Sequence, residues 1–277
     1  MINEILGNQY LSLIILMIIT AFPVGFFAGL FGIGGGLITV PFLFFIFESL
    51  NIDSNYVMHL AVGTSFSIII PTSLVSVYTH HKHGAVDLGI IKSYTVFVII
   101  GVIVGTSLAS ILRTKGMMLF FTAVVYFLSF YLLFLKEKTH KKEPNFNLFT
   151  KIVFGFISGF ISAPMGIGGA IMNVPILKKF GYPINKAIGS AAAVGFFIAL
   201  FGCIGFLISG SYLNVNLPLS IGFINIPALV IFIPITTFMA KIGANVVYKI
   251  EKAKITMFFG LFLLVVGTVF LYRYTNI

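Results

Sequence analysis

The chain reads as an all-α integral membrane protein built from two related halves, on three observations. The first is composition. Of 277 residues, 59% are hydrophobic and 9% charged, with a mean hydropathy of +1.11. Soluble domains carry about a quarter charged residues, so this chain cannot clothe a water-facing surface. The second is a succession of apolar runs of the length a bilayer requires, about 20 residues each. The third is a glycine-rich stretch that occurs twice.

In chain order the apolar runs are 9–31, 37–50, 57–78, 88–111, 117–135, 148–166, 170–180, 186–208, 222–245 and 254–273. The first is expected to be a mature helix rather than a signal peptide. Residues 1–10 hold no Lys or Arg, and no small-residue cleavage site follows. Runs 37–50 and 170–180 are too short to cross upright. Each follows a glycine-rich break, so both read as half-helices that cross in part or re-enter. About eight full spans and two short helices result. Asp87 and Asn225 stand where spans begin and are expected to cap or tie down the helices they start. No region is long and polar enough for a separate soluble domain.

Loop charge orients the spans. With the basic loop 136–145 placed in the cytoplasm and the spans alternating, all but three of the seventeen Lys and Arg fall inside. The exceptions are Arg113, Lys115 and Arg273. The net charge of +10 is thus a topology signal in short loops, not a nucleic-acid surface. Cys203 is the sole cysteine, which rules out a disulfide within one chain.

The halves match in order. Residues 32–41, GIGGGLITVP, recur as 166–175, GIGGAIMNVP. AVGTS (61–65) aligns with AIGSA (187–191), GAVD (84–87) with GFIN (222–225), GTS (105–107) with GAN (243–245), and MLFF (118–121) with TMFF (256–259). Such ordered self-similarity marks a duplication. The expected organisation is repeat 1 over 1–138, a basic cytoplasmic linker over 139–147, and repeat 2 over 148–277. Five segments per half turn the second repeat over in the membrane, and the loop charges agree. An inverted repeat of this kind is an architecture of secondary transporters, with the site near the midplane between discontinuous helices.

In that setting the glycines have a purpose. They let the backbone unwind and approach closely, and a helix that restarts after a break offers free N–H groups and a partial positive charge to an anion. Gly34, Gly35, Gly36, Gly168 and Gly169 are therefore candidate substrate-lining positions. Thr39 and Asn173 stand at equivalent places near the start of each half-helix. A threonine there often bonds its own backbone, whereas an asparagine amide needs partners in a membrane. Thr64, Ser65 and Ser190 form a matched hydroxyl set, read either as oxyanion donors or as helix–helix contacts.

The stretches GLFGIGGGLITVP (29–41), AVGTS (61–65), THHKHGAVD (79–87), APMGIGGAIMNVP (163–175) and GFINIPALV (222–230) give the chain its resemblance to the TauE/SafE family of sulfite exporters and related anion permeases. The resemblance spans nearly the whole chain. It implies transport of sulfite, sulfonates or related organic anions. Ala170 stands where the first motif has Gly36.

The expected function is thus a multi-pass carrier or facilitator in the cell membrane, moving a small oxyanion outward, with uptake of an organic acid or sulfonate as the alternative. A non-transport subunit assisting cofactor assembly is the reading from another class. The expected partners are a small anion and the bilayer, with no nucleic acid, no cofactor and no metal; a homodimer is compatible. His80, His81, His83 and Asp87 invite a zinc reading, but the second half has no histidine counterpart, and a solvated loop is expected. No Asp, Glu, Lys, Arg or His is read as clearly intramembrane, so the site is expected to be neutral. Buried acid–base or nucleophile groups are missing from this reading, and an enzyme is not expected.

Overall fold

The computed structural model of the chain describes residues 2–31, 35–50, 52–134, 146–213, 215, 217–247 and 252–276. Gly32, Gly34 and most of the basic linker lie outside them. Within the described residues there are ten helices and one short hairpin. The first half gives α1 (Ile2–Phe31), α2 (Gly36–Ser49), α3 (Val57–Lys82), α4 (Leu88–Ile111) and α5 (Thr114–Phe134). The second gives α6 (Leu148–Met165), α7 (Ala170–Lys179), α8 (Ile184–Tyr212), α9 (Ile226–Val247) and α10 (Lys252–Asn276), with hairpin β1 (Ser220–Ile221) and β2 (Ile224–Asn225) before α9. Seven of these, α3 to α6 and α8 to α10, are apolar and long enough to cross a membrane. The all-α membrane fold is the one the sequence predicts.

The two short helices follow the breaks. With 14 and 10 residues, α2 and α7 reach about 21 and 15 Å at 1.5 Å per residue. Neither alone matches a hydrocarbon core of about 30 Å. The run predicted over 222–245 starts differently. Residues 220–225 form the hairpin, and α9 begins only at Ile226, where Asn225 Oδ1 accepts the Ala228 N–H at 3.0 Å.

Helix pairing repeats between halves. Helix α4 runs along α6, and its equivalent α9 runs along α1; α2 packs on α3 as α7 packs on α8. Small residues let these backbones meet, the usual way membrane helices gain contact without a hydrophobic drive. A Cβ on Gly243 of α9 would overlap the Phe26 carbonyl of α1, and one on Gly105 of α4 would come within 2.7 Å of the equivalent Phe160 carbonyl of α6. Equivalent helices also pack on each other. Gly63 lies against Phe206 and Gly202 against Phe66, so α3 and α8 run antiparallel. Helices α5 and α10 do the same, tied by Ser129 Oγ to the Gly260 carbonyl at 2.8 Å and Tyr126 Oη to Thr268 at 3.0 Å.

The three Lys and Arg expected outside stand at helix ends. Arg273, near the end of α10, bonds Glu48 at the end of α2, with Nε 2.9 Å from Oε1. Arg113 and Lys115 on the α4–α5 turn are exposed.

Candidate functional site

Both half-helices start on a left-handed glycine. Gly35 (φ +85°) precedes α2 and Gly169 (φ +68°) precedes α7, and neither helix start has a side-chain cap. The preceding helix α6 ends on another, Gly166 (φ +66°). A side chain at these angles would be strained, so the two breaks are written into glycine.

The breaks touch. Gly36 sits so close to the second break that a Cβ would overlap the Gly166 carbonyl and lie 2.7 Å from Ile167 Cα. Ser65 Oγ donates to that same Gly166 carbonyl at 3.0 Å. Gly195 of α8 lies flush on the Gly168 carbonyl. Of the residues proposed from sequence, Gly36, Ser65 and Gly168 therefore meet, around Gly166, at one junction between halves, with α3 and α8 on its flanks.

Asn173, four residues into α7, is fully buried. Tyr94 of α4 and Ser158 of α6 both donate to its Oδ1, each at 2.8 Å. Those two hydroxyls fix the amide with its NH2 pointing the other way, and among the described residues that Nδ2 has no partner. The Ser162 hydroxyl of α6 is buried and without a partner as well. Both converge on Gly169: a methyl placed there would lie 3.0 Å from Nδ2 and 3.4 Å from Ser162 Oγ. Buried donors without partners are uncommon and call for an explanation. Here two of them share a point at the uncapped, electropositive start of α7. Ile198 of α8 closes over that point.

The other half lacks this cluster. The positions equivalent to Tyr94, Ser158, Ser162 and Asn173 are Phe232, Val24, Ala28 and Thr39. Thr39 is buried and donates to the Gly35 carbonyl of its own helix at 3.0 Å. Ala28 packs directly on Gly35. Donor capacity therefore lies on one side of the junction. Tyr94, Ser158 and Ser162 escaped sequence reasoning, although aligning the halves exposes them as polar residues opposite apolar ones.

Thr64 and Ser190 take up a different geometry. Thr64 Oγ1 accepts the backbone N–H of Asn225 at 2.9 Å, and Ser190 Oγ accepts that of Asp87 at 3.0 Å. Beneath each hydroxyl a glycine admits a loop carbonyl: Gly63 against Phe223, Gly189 against Ala85. These are equivalent latches at opposite ends of the α3–α8 pair. Asp87 in turn accepts the N–H groups of Gly89 and Ile90, and Lys186 stands 3.9 Å from it. Burial, and after it the Asp87 carboxylate, push the nearby Tyr182 phenol above its ordinary value. His81 and His83 are exposed, and His83 Nδ1 bonds the Thr79 carbonyl at 2.8 Å.

One expectation is corrected. His59, two residues inside α3, is fully buried. It stands at the start of the apolar run 57–78 and was not singled out from the sequence. Tertiary packing under the β1–β2 hairpin buries it.

Comparison with known proteins places this geometry in context. The profile of the family described as "Sulfite exporter TauE/SafE" matches residues 17–270. A protein of Haemophilus influenzae described as a "Probable membrane transporter protein" is 31% identical over 258 residues, covering 92% of this chain and 97% of that one. A protein of Methanocaldococcus jannaschii with the same description is 30% identical over 270 residues, covering 94% and 96%. A third, from Bacillus subtilis and named YunE, is 24% identical over 281 residues, covering 94% and 97%. No solved structure gives a significant match.

Proposed function

Because the chain belongs to the TauE/SafE sulfite exporter family, we propose that this membrane transporter is a secondary carrier of a small oxyanion, sulfite or a related sulfonate, moving it out of the cell. The observation that carries the reading is the Asn173 amide, whose carbonyl side is held by Tyr94 and Ser158 while its two N–H donors stay open at the start of α7. Sulfite and sulfonates present several acceptor oxygens on a compact head. Asn173 Nδ2, the Ser162 hydroxyl and the first amides of α7 are donors of matching chemistry. Hydrogen bonds to a charged partner contribute about 1.5–3 kcal/mol each, so three or four offset much of the desolvation of one negative charge without a buried Lys or Arg.

The antiparallel packing of α3 on α8 and of α5 on α10 supports reading the halves as an inverted pair. On that reading α2 and α7 start near the midplane and diverge to opposite faces, which fits their lengths of about 21 and 15 Å. Transport then proceeds by rocking one repeat against the other. The latch at Asn225 yields in one state and the latch at Asp87 in the other. Substrate enters beside α7 as Ile198 turns away, and the donors at Gly169 re-solvate when the opposite end opens.

The test is uptake of labelled sulfite into proteoliposomes holding the purified protein, with sulfate, sulfoacetate and acetate as competitors. Saturable flux with counterflow, lost in Asn173→Ala and weakened in Ser162→Ala, is expected. Flux undisturbed in both variants would refute the site. Flux of none of these anions would refute the substrate class.

A further inference from the structure

We propose that His59 is a proton-binding site that controls the end of the fold at which α3 begins, the end that loop charge assigns to the outside. The inference does not depend on which anion is carried.

His59 Nε2 lies 3.0 Å from the Ala109 carbonyl. A carbonyl only accepts, so Nε2 carries the hydrogen and Nδ1 is left as the bare nitrogen. That nitrogen has no hydrogen-bond partner among the described residues. Ala109 stands in the last turn of α4 and Leu112 is its C-cap, and both carbonyls flank the ring. This is the negative end of a helix dipole, where a cation is favoured. Three aromatic rings complete the enclosure: Phe223, tilted, with ring centroids 4.9 Å apart, and Tyr56 and Phe206, in edge arrangements at 5.6 Å and 6.5 Å. An aromatic face within about 6 Å attracts a cation, and Phe223 is the nearest ring to offer one. The site thus holds what an imidazolium needs except an acceptor or water for Nδ1–H.

Phe223 supplies the link to movement. It is the buried tip of the β1–β2 hairpin, and its carbonyl is seated on Gly63 beside the Thr64 latch. While the hairpin is down, the neutral ring fits and a proton on Nδ1 does not. When the hairpin lifts, water reaches Nδ1 and the helix end remains in place to hold the charge. Proton binding and closure of this end therefore oppose each other, a reciprocal coupling.

Few other groups compete for this role. From its own side the ring meets the Tyr56 ring; from α4, the Ala109 and Leu112 carbonyls; from α8 and the hairpin, Phe206 and Phe223, while the Thr114 hydroxyl of α5 accepts the neighbouring Met58 N–H. Asp53, Arg113 and Lys115 are nearby in the chain but exposed. Histidine is the side chain in this set that titrates near neutral pH.

The experiment is hydrogen–deuterium exchange of the wild-type protein in lipid nanodiscs at pH 5.5 and 8, corrected for intrinsic exchange, read on peptides covering 217–228. Protection there is expected to fall at pH 5.5 by a factor within the ~5–150-fold range of typical couplings. His59→Gln, which retains a donor for Ala109, should abolish the difference, and a variant with His80, His81 and His83 all changed to Asn should keep it. Equal protection at both pH values, or an unchanged difference in His59→Gln, would overturn the proposal. Should His59→Gln not fold, the wild-type comparison alone decides. No substrate is needed, so this outcome is separable from that of the anion-flux assay.

Discussion

Replacing Asn173 by Ala and, separately, by Asp divides the two faces of one amide. Alanine removes the donors aimed at Gly169 and also the acceptor shared by Tyr94 and Ser158. The structural penalty is limited, because the Tyr94 hydroxyl also reaches the Phe154 carbonyl at 3.3 Å. Losing one or two hydrogen bonds to an anion, at about 1.5–3 kcal/mol each, raises the substrate Kd by roughly 10- to 150-fold for a single bond at 1.4 kcal/mol per decade. Aspartate keeps the acceptor, and hence Tyr94 and Ser158 in place, but turns the donors into a negative charge. At an effective dielectric of about 20, two like charges 4 Å apart repel by about 4 kcal/mol. Together with the lost donors, that predicts a loss of more than about a thousandfold. The assay is concentration-dependent flux in proteoliposomes, with a thermal melt in detergent as the control for folding. The expected order of transport is wild type, then Ala, then Asp, and the melt reads the cost of burying the carboxylate separately. An Asp variant that transports as well as Ala would refute the reasoning, because it would mean that the open face of residue 173 never meets a negative charge.

Three further outcomes follow from the junction and the latches. Gly36→Ala drives a methyl into the Gly166 backbone and should lower stability by about 1–3 kcal/mol and abolish flux, whereas Gly116→Ala, facing the end of the Leu112 side chain at 3.2 Å and no backbone, should melt like wild type. Thr39→Val removes a hydroxyl whose partner among the described residues is the Gly35 carbonyl of its own helix start; flux kinetics within about twofold of wild type are expected, and a tenfold rise in KM would show that Thr39 reaches substrate. Thr64→Val strands the buried Asn225 N–H and should destabilise by about 1–3 kcal/mol. Ser190→Ala, whose bond is only part-buried, should destabilise less, as read by paired thermal melts.

Much of the fold was legible because bilayer-length apolar runs leave little freedom. Helices α4 and α7 begin and end within a residue of the expected bounds. The start of α9 was not, since Ile221 and Phe223 are as apolar as a helix and only Asn225 capping and hairpin pairing decide the boundary. For the site, Asn173 was visible as an amide in an apolar run. Its partners were not, because Tyr94 is 79 residues away and Ser158 is 15 away. A serine or tyrosine in an apolar run usually bonds a local carbonyl or sits at an interface, so neither residue announces a network from its own neighbourhood. Thr64 and Ser190 were recognisable as a pair, but that their hydroxyls receive Asn225 and Asp87 amides is a tertiary fact. His59 was overlooked because proximity to a helix end says nothing about what folds over it.

The two latches have a consequence for the sense of flow. Each is a hydroxyl receiving one backbone amide over a glycine, and they differ by a methyl group and by the loop around them. On the proposed rocking mechanism, near-identical latches favour neither end, so the latches themselves set no direction and the proposed outward flow has to come from the gradient across the membrane. Export or import would then be decided by metabolism on either side of the membrane, and a relative with the same latches could run the opposite way in a cell that consumes what this one discards.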